Sequence, residues 1–384
     1  MTDQDARHTA QGLPDWRVNA IRVAPALPDA PRLLLLGREA PDVRRGWCER
    51  FAAQGFEVIA PDLADWSLET PAKIELVARM AVADFGPAVG QRFGVLALEG
   101  CAALALALAR GGQVDGVVAF APDDVAALLV GAPLPCPAAL HINLAPGAAR
   151  AALQADADSI GLQLFDAGAG AGFATPGSTA YDRHAAAVAI SRTLSVLRPA
   201  LGSGFDLGRL FRGHLAQEFV HHDADATMAT MVAEPYVNHI PTLTGGYGHD
   251  MLKRFYKYHF IPSAARSGDR KTVLVSETIG ADTVVLEMVV SFVHDEEHEY
   301  MLPGLAPTGR RVELPSVVVA KFEGDKLCHE HIYWDQASLL AQIGAMDPAG
   351  LPVSGAEQAR KVLDPSLPSN AMMPAWARSA GKPI

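Results

Sequence analysis

The sequence predicts two domains of different class, a parallel α/β domain followed by an α+β domain, and three observations carry that expectation. At 384 residues the chain is too long for one ordinary core. Up to about residue 201, short apolar runs alternate with helical stretches, the rhythm of a parallel sheet covered on both faces. Beyond residue 207, helices come first and long strands follow, the order of an antiparallel sheet with helices on one side. The expected spans are 1–203 and 204–346, with an ordered extension over 347–384.

In the first span, strands are expected at Arg17–Val23, Arg32–Leu36, Phe56–Ala60, Phe93–Leu98, Val114–Phe120, Ala138–Ile142 and Leu162–Phe165. Helices are expected near Arg44–Gln54, Ala72–Phe85, Cys101–Arg110 and Tyr181–Leu197. Pro199 to Gly208 interrupts the helical pattern with small residues and marks the boundary.

Composition narrows the partners. A net charge of −11, without any Lys/Arg cluster, argues against a nucleic-acid surface. The polar, acidic start lacks the order of a signal peptide, and Leu33–Leu36 is too short to span a bilayer. Four scattered cysteines, Cys48, Cys101, Cys136 and Cys328, show neither metal-type spacing nor a disulfide framework. The expectation is a cytoplasmic protein whose partner is a small molecule, without nucleic acid, membrane or metal.

The segment order RLLLLGREAPDVRRGWCERFAAQGFEVIAPDL, RFGVLALEGCAALALALA, VDGVVAFAP, CPAALHINL, DAGAGAGF and YDRHAAAVAISRTLSVL resembles the dienelactone hydrolase (carboxymethylenebutenolidase) branch of the α/β-hydrolases, over roughly Arg17 to Leu201. The resemblance implies a nucleophile on a tight strand–helix turn, an acid and a late histidine. Those positions fall on Glu99, near Ala145-Pro146 and on Ala171, while Cys101 takes an elbow-glycine position. All three functional groups are thus replaced. Cys101 as a displaced nucleophile competes with Cys101 as a small core residue, and His141 and His184 read as structural. Glu99 is either a carboxylate favoured by a helix N-terminus or a plain surface residue.

In the second span, helices are expected at Leu207–Phe219, Asp225–Val232 and His249–Tyr258, with an irregular PYVNHIPTLTGGYG between them. Long strands are expected at Asp282–His294, Arg310–Glu323, Lys271–Ile279 and Lys326–Trp334. The last strand alternates, with Leu327, His329, His331, Tyr333 and Asp335 on one face and Cys328, Glu330, Ile332 and Trp334 on the other. The imidazole-bearing face suggests a site. From Asp335 the period turns helical, so Asp335 is both a plausible N-cap and, at the strand's end, a reasonable general base.

YVNHIP, SFVHDEEHEYMLPGLAPTGRRVELPSVVVAKFEGDKL and HEHIYWDQASLLAQIG are similar to the SnoaL-like polyketide cyclases of the nuclear transport factor 2-like group, which includes the ketosteroid isomerases. That resemblance implies an α+β cone around one apolar cavity, acid/base chemistry without cofactor, and a homodimer through this half. It matches Asp335 to the family's acid/base aspartate and His239 to a motif histidine; with Asp335 as base, His239 and His331 are expected to orient or polarise the substrate. Tyr236, Glu287, His294, His329, Tyr333 and Trp334 complete the expected pocket.

Three functional readings stay open. The first is a cofactor-independent cyclase- or isomerase-like enzyme acting on a small, largely apolar carbonyl compound. The second is an ester or lactone hydrolase working through the first span, and the third is a binding protein without catalysis. A metal held by His294, His298, His329 and His331 would need two strand ends to converge. Gly245-Gly246-Tyr247-Gly248 reads as a flexible pocket rim. In the tail, Leu351, Val353, Met372, Met373 and Trp376 are expected as apolar anchors.

Overall fold

The computed structural model describes residues 15–383 apart from 26, 28, 121–125, 144–147, 203 and 267–268. The expected acid position at Ala145-Pro146 lies outside the described residues. The chain divides into two compact units, Met1–Phe205 and Asp206–Ile384. No described helix is long and apolar enough to cross a membrane.

The first unit runs β1 (Ile21–Val23), β2 (Arg32–Leu36), α1 (Pro41–Ala53), β3 (Glu57–Ala60), α2 (Pro71–Phe85), β4 (Phe93–Ala97), α3 (Ala102–Arg110), β5 (Gly116–Phe120), β6 (Ala138–Ile142), α4 (Ala148–Ser159), β7 (Leu162–Asp166) and α5 (Arg183–Leu201). Its sheet order is β1-β3-β2-β4-β5-β6-β7, parallel except for β1. Leu33–Leu36, Val95–Ala97 and Val117–Ala119 are fully buried, as strands covered on both faces must be. Helix α5 crosses the sheet so closely that a Cβ on Gly94 would lie 2.6 Å from Leu201, and one on Gly116 2.9 Å from Ala200. Glycine on two neighbouring strands is what admits that helix.

Several boundaries differ from expectation for local reasons. The strand expected from Arg17 begins only at Ile21, because Val18 and Ala20 donate back into turns and Arg17 pairs with Asp15. Helix α4 has no counterpart among the expected elements, since its run AARAALQADADS has little apolar periodicity. Helix α5 continues past Leu197 through Pro199 and closes where Gly202, in the left-handed region, donates its N–H to Arg198 O. A proline in the last turn removes one backbone donor without ending the helix there.

The second unit runs α6 (Leu207–Ala216), α7 (Ala224–Ala229), β8 (Met231–His239), β9 (Thr244–Tyr247), α8 (His249–Phe255), α9 (Ile261–Arg266), β10 (Lys271–Ile279), β11 (Thr283–Val293), β12 (Arg311–Glu323), β13 (Lys326–Trp334), α10 (Gln336–Ile343) and α11 (Glu357–Leu363). Wider π-turns follow α6 at Gln217–His221 and α8 at Tyr256–Phe260. The six-stranded sheet has the order β10-β11-β12-β13-β8-β9, antiparallel except where β13 meets β8. The α+β class is as expected.

The segment expected to be irregular, PYVNHIPTLTGGYG, instead supplies most of β8 and all of β9. Pro235 is tolerated because the pairing of β8 with β13 breaks register between Met231 and Tyr236, so no ladder bond is lost there. The glycines serve close approach: Gly245 has φ +130°, and a Cβ on it would lie 2.1 Å from Val237 O. The expected flexible rim is thus an edge strand. In the tail, α11 is held by Arg360 on Glu313 at 2.8 Å and by Ser338 Oγ on Gly355 O. Leu351, Met372, Met373 and Trp376, expected as anchors, are half exposed.

Candidate functional site

Strand alternation builds one wall of a cavity of about 570 Å³ in the second unit. Register lines up Leu274, Met288, Ser316 and Trp334 in one row across β10–β13. The next row is Leu286, Val318, Ile332 and His239, and Glu330 pairs beside Val237 in the third. The opposite wall comes from Leu215 on α6, Phe219 on the first π-turn, Tyr256 and Phe260 on the second, and Tyr300 and Met301 in the β11–β12 connection. The volume falls in the range of small-molecule sites.

Three ionisable side chains converge at the wall of this cavity, and two of them, Glu218 and Glu330, line it. His214 on α6, Glu218 on the first π-turn and Glu330 on β13 are 0%, 3% and 4% exposed. His214 Nε2 lies 3.1 Å from Glu218 Oε1 and 3.6 Å from Glu330 Oε2. It forms no well-aligned hydrogen bond with either, so these contacts are Coulombic. The tautomer follows from its other nitrogen. Thr230 Oγ1 donates to Thr227 O at 2.6 Å and so accepts from His214 Nδ1–H, also at 2.6 Å. Nε2 then faces two carboxylates, which favour a positive charge there.

Burial opposes protonation of His214, but Glu218 and Glu330 outweigh it and push its pKa up to about 10. Burial raises the Glu218 carboxyl against the lowering effect of His214. Tyr256 donates its hydroxyl to Glu330 Oε2 at 3.4 Å, and burial together with the two carboxylates holds it well above the usual phenol range. Among the described residues this is the one group whose metal-competent atoms converge, all within 4.8 Å of one another, a spacing a divalent cation could share.

His239 lines the same cavity in a box of rings, 5.1 Å from Tyr300 and 5.8 Å from Trp334 between centroids. Its Nδ1–H donates to Thr244 O at 3.1 Å, and burial lowers its pKa to about 4. It is therefore a neutral imidazole at physiological pH. Trp334 is pinned by its Nε1–H on Gln336 Oε1 at 2.6 Å, and Gln336 in turn donates to Met301 O.

Of the residues expected at the site, His239 and Trp334 line the cavity, and the others lie elsewhere. Asp335 is exposed, caps α10 by accepting from Ser338 N, and accepts weakly from Gln358. His329, His331 and Tyr333 occupy the other face of β13, with the two imidazoles stacked at 4.6 Å and Tyr236 edge-on to His331. Glu287 shares that outer face and accepts from Ser276 Oγ. His294 is buried in the β11–β12 connection, held by Thr308 Oγ1 and 5.9 Å from the His298 ring. The metal set of His294, His298, His329 and His331 does not assemble, because His329 pairs beside Lys321 at the opposite end of β12 from His294. The physical reason for the wrong face is plain: the polar face of β13 is the one turned away from the cavity, while Ile332 and Trp334 mark the enclosed one.

Sequence reasoning misses Glu330, Glu218, His214 and Tyr256. A signal exists for part of the set, since His214 and Glu218 stand four residues apart, the spacing that stacks side chains on one helical face. Glu330 is readable as a lone carboxylate on the face shared with Ile332 and Trp334. Nothing in the sequence alone joins the two segments.

In the first unit, Glu99 follows β4 and accepts from Gly172 N–H, beside Ala171, so two of the hydrolase-derived positions are neighbours. The left-handed residue of the turn is Gly100, φ +78°, rather than Glu99. Cys101 is fully buried, and burial pushes its thiol up to about 12. His141 is likewise buried against Thr193 Oγ1, its pKa lowered by burial to about 3.

No family model matches the chain, and no curated protein matches it. Among solved structures, a candidate SnoaL-like polyketide cyclase from Jannaschia sp. CCS1 is 16% identical over 36% of this chain and 94% of its own, with a TM-score of 0.28. An NTF2-like protein of unknown function from Burkholderia pseudomallei is 17% identical over 35% and 95%, TM-score 0.27. A protein with a ketosteroid isomerase-like fold from Catenulispora acidiphila, in complex with trimethylamine, is 14% identical over 37% and 97%, TM-score 0.27. Likenesses this distant assign no activity.

Proposed function

We propose that the chain is a cofactor-independent acid/base enzyme of the polyketide cyclase or isomerase kind, acting on a small, largely apolar carbonyl compound in the second unit's cavity. The observation that carries the reading is the placement of two buried carboxylates, Glu218 and Glu330, with His214 behind them, on the wall of a largely apolar cavity. Buried carboxyls facing a cleft, one of them, Glu218, raised by burial, are the arrangement proton transfer requires.

In this reading Glu218 and Glu330, with His214 between them, act together as the proton-accepting group. A carboxylate of the pair takes the proton from the carbon next to the substrate carbonyl, and the C–H electrons move into the carbonyl as an enolate. Tyr256 stays protonated and donates toward the developing oxyanion. The enolate then takes the proton back at another carbon, or attacks a second carbonyl within the substrate. Apolar walls exclude water, which would otherwise quench the intermediate.

The base expected at Asp335 is replaced here by Glu218 and Glu330, and His239 keeps its expected polarising role as a neutral imidazole. The expected homodimer through the second unit is retained as part of the proposal. A hydrolase in the first unit lacks a nucleophile among the described residues at the expected positions.

The test is deuterium incorporation from heavy water into a panel of activated ketones and β-dicarbonyl compounds. Exchange by the wild type that falls roughly 10²–10⁴-fold in Glu330→Gln or Glu218→Gln supports the reading. Exchange that survives both substitutions refutes it, and tight binding without any exchange favours a binding protein.

A further inference from the structure

Charged side chains around the cavity are paired, with one exception. Arg212 holds Glu277 at 3.1 Å, and Glu218 and Glu330 share His214. Arg270, which also lines the cavity, has no carboxylate partner among the described residues. It is nonetheless held in place: its guanidinium carbon sits 5.0 Å over the Phe219 ring, and Nη1 donates to the Tyr300 hydroxyl at 3.1 Å. Both contacts fix the plane of the guanidinium and leave further N–H donors without an anion.

A partly buried cation facing an apolar cavity is costly unless something neutralises it. Stacking and one neutral hydrogen bond orient it but do not cancel its charge. A planar, oriented guanidinium matches a carboxylate, which it can engage through two parallel hydrogen bonds. We propose that Arg270 is the recognition residue for a carboxylate carried by the substrate. The substrate class then narrows to an apolar, cavity-sized keto acid, anchored at Arg270 while its carbonyl end meets the Glu218–Glu330 pair.

This rests on reading the cavity as the substrate site, and binding can be measured apart from proton transfer. Calorimetry on the full chain would compare naphthalene-2-acetic acid with naphthalene-2-acetamide, two probes of like shape that differ in charge. Wild type is expected to bind the acid roughly tenfold to a hundredfold more tightly, the range of a charge-assisted pair. Arg270→Gln should erase that preference, Arg270→Lys should keep part of it, and Glu330→Gln should keep it while losing exchange. Equal affinities in the wild type, undetectable binding of the acid, or a preference that survives Arg270→Gln overturns the proposal. The wild-type comparison stands even if a variant fails to fold. Exchange without acid preference removes only the role of Arg270, whereas acid preference without exchange removes only the acid/base reading.

Discussion

His214 Nε2 lies 3.1 Å from Glu218 Oε1, a contact made one helical turn apart and sealed from solvent on both sides. With Glu330 completing the group, the imidazole is held charged, whereas His239, which lines the cavity, is held neutral by burial. A nitrogen-detected NMR titration should therefore show these two buried histidines in opposite states at pH 7.5. His214 should titrate near 10 and His239 near 4, and a shared pKa near 6.5 would contradict the electrostatics.

Asp335→Asn is expected to leave proton exchange intact, since Asp335 caps α10 outside the cavity. Asp335→Ala should instead lower stability by about 1 kcal/mol through the lost cap. Loss of exchange in folded Asp335→Asn would restore this residue as the base.

Stability should fall on the acid side through the buried neutral histidines. His141 and His239 have folded pKa values of about 3 and about 4 against 6.5 when unfolded. The unfolded chain binds more protons below 6.5, so their contribution is present above that pH and is lost as pH falls toward 4 and 3. His214 has the opposite sign: its contribution is present below 6.5 and is lost as pH rises through about 10. Urea unfolding at pH 5, 7.5 and 10.5 checks this, with the middle pH expected to be the most stable.

Gly94→Ala should destabilise the first unit by about 1–3 kcal/mol, because the added methyl meets Leu201 on α5. Thermal unfolding of the variant measures it, and an unchanged midpoint would mean that α5 shifts freely.

The homodimer is expected through the second unit, where β10 exposes Val273 and Val275 and the outer face of β13 exposes Tyr333. Light scattering should then give twice the 40.6 kDa chain mass, and Tyr333→Glu or Val273→Glu should shift it toward one chain. A monomer at all concentrations ends that expectation.

Much of the fold is legible because hydrophobic period is a local signal. The continuous runs at Leu33–Leu36 and Val117–Phe120, and the alternation of Arg311–Glu323, fix strands without reference to partners. Pro235 and Gly245-Gly246 mislead because their tolerance depends on a register break and on a close approach to Val237, both properties of pairing. The site is legible only in pieces. His239 and Trp334 can be found, but strand alternation gives two faces without saying which is enclosed, and the histidine-rich one draws the inference away from Glu330.

The two π-turns give the cavity a particular kind of fragility. Each inserts extra backbone into a helical run just where Glu218 and Tyr256 turn inward, and such insertions recur at functional sites. Removing one residue from either turn would return it to ordinary α winding and re-aim the side chains within the turn itself. A single codon deletion could thereby swing a carboxylate or a phenol out of the cavity while leaving the sheet intact. The proposed chemistry would then depend on the winding of two short turns as much as on the residues assigned to it.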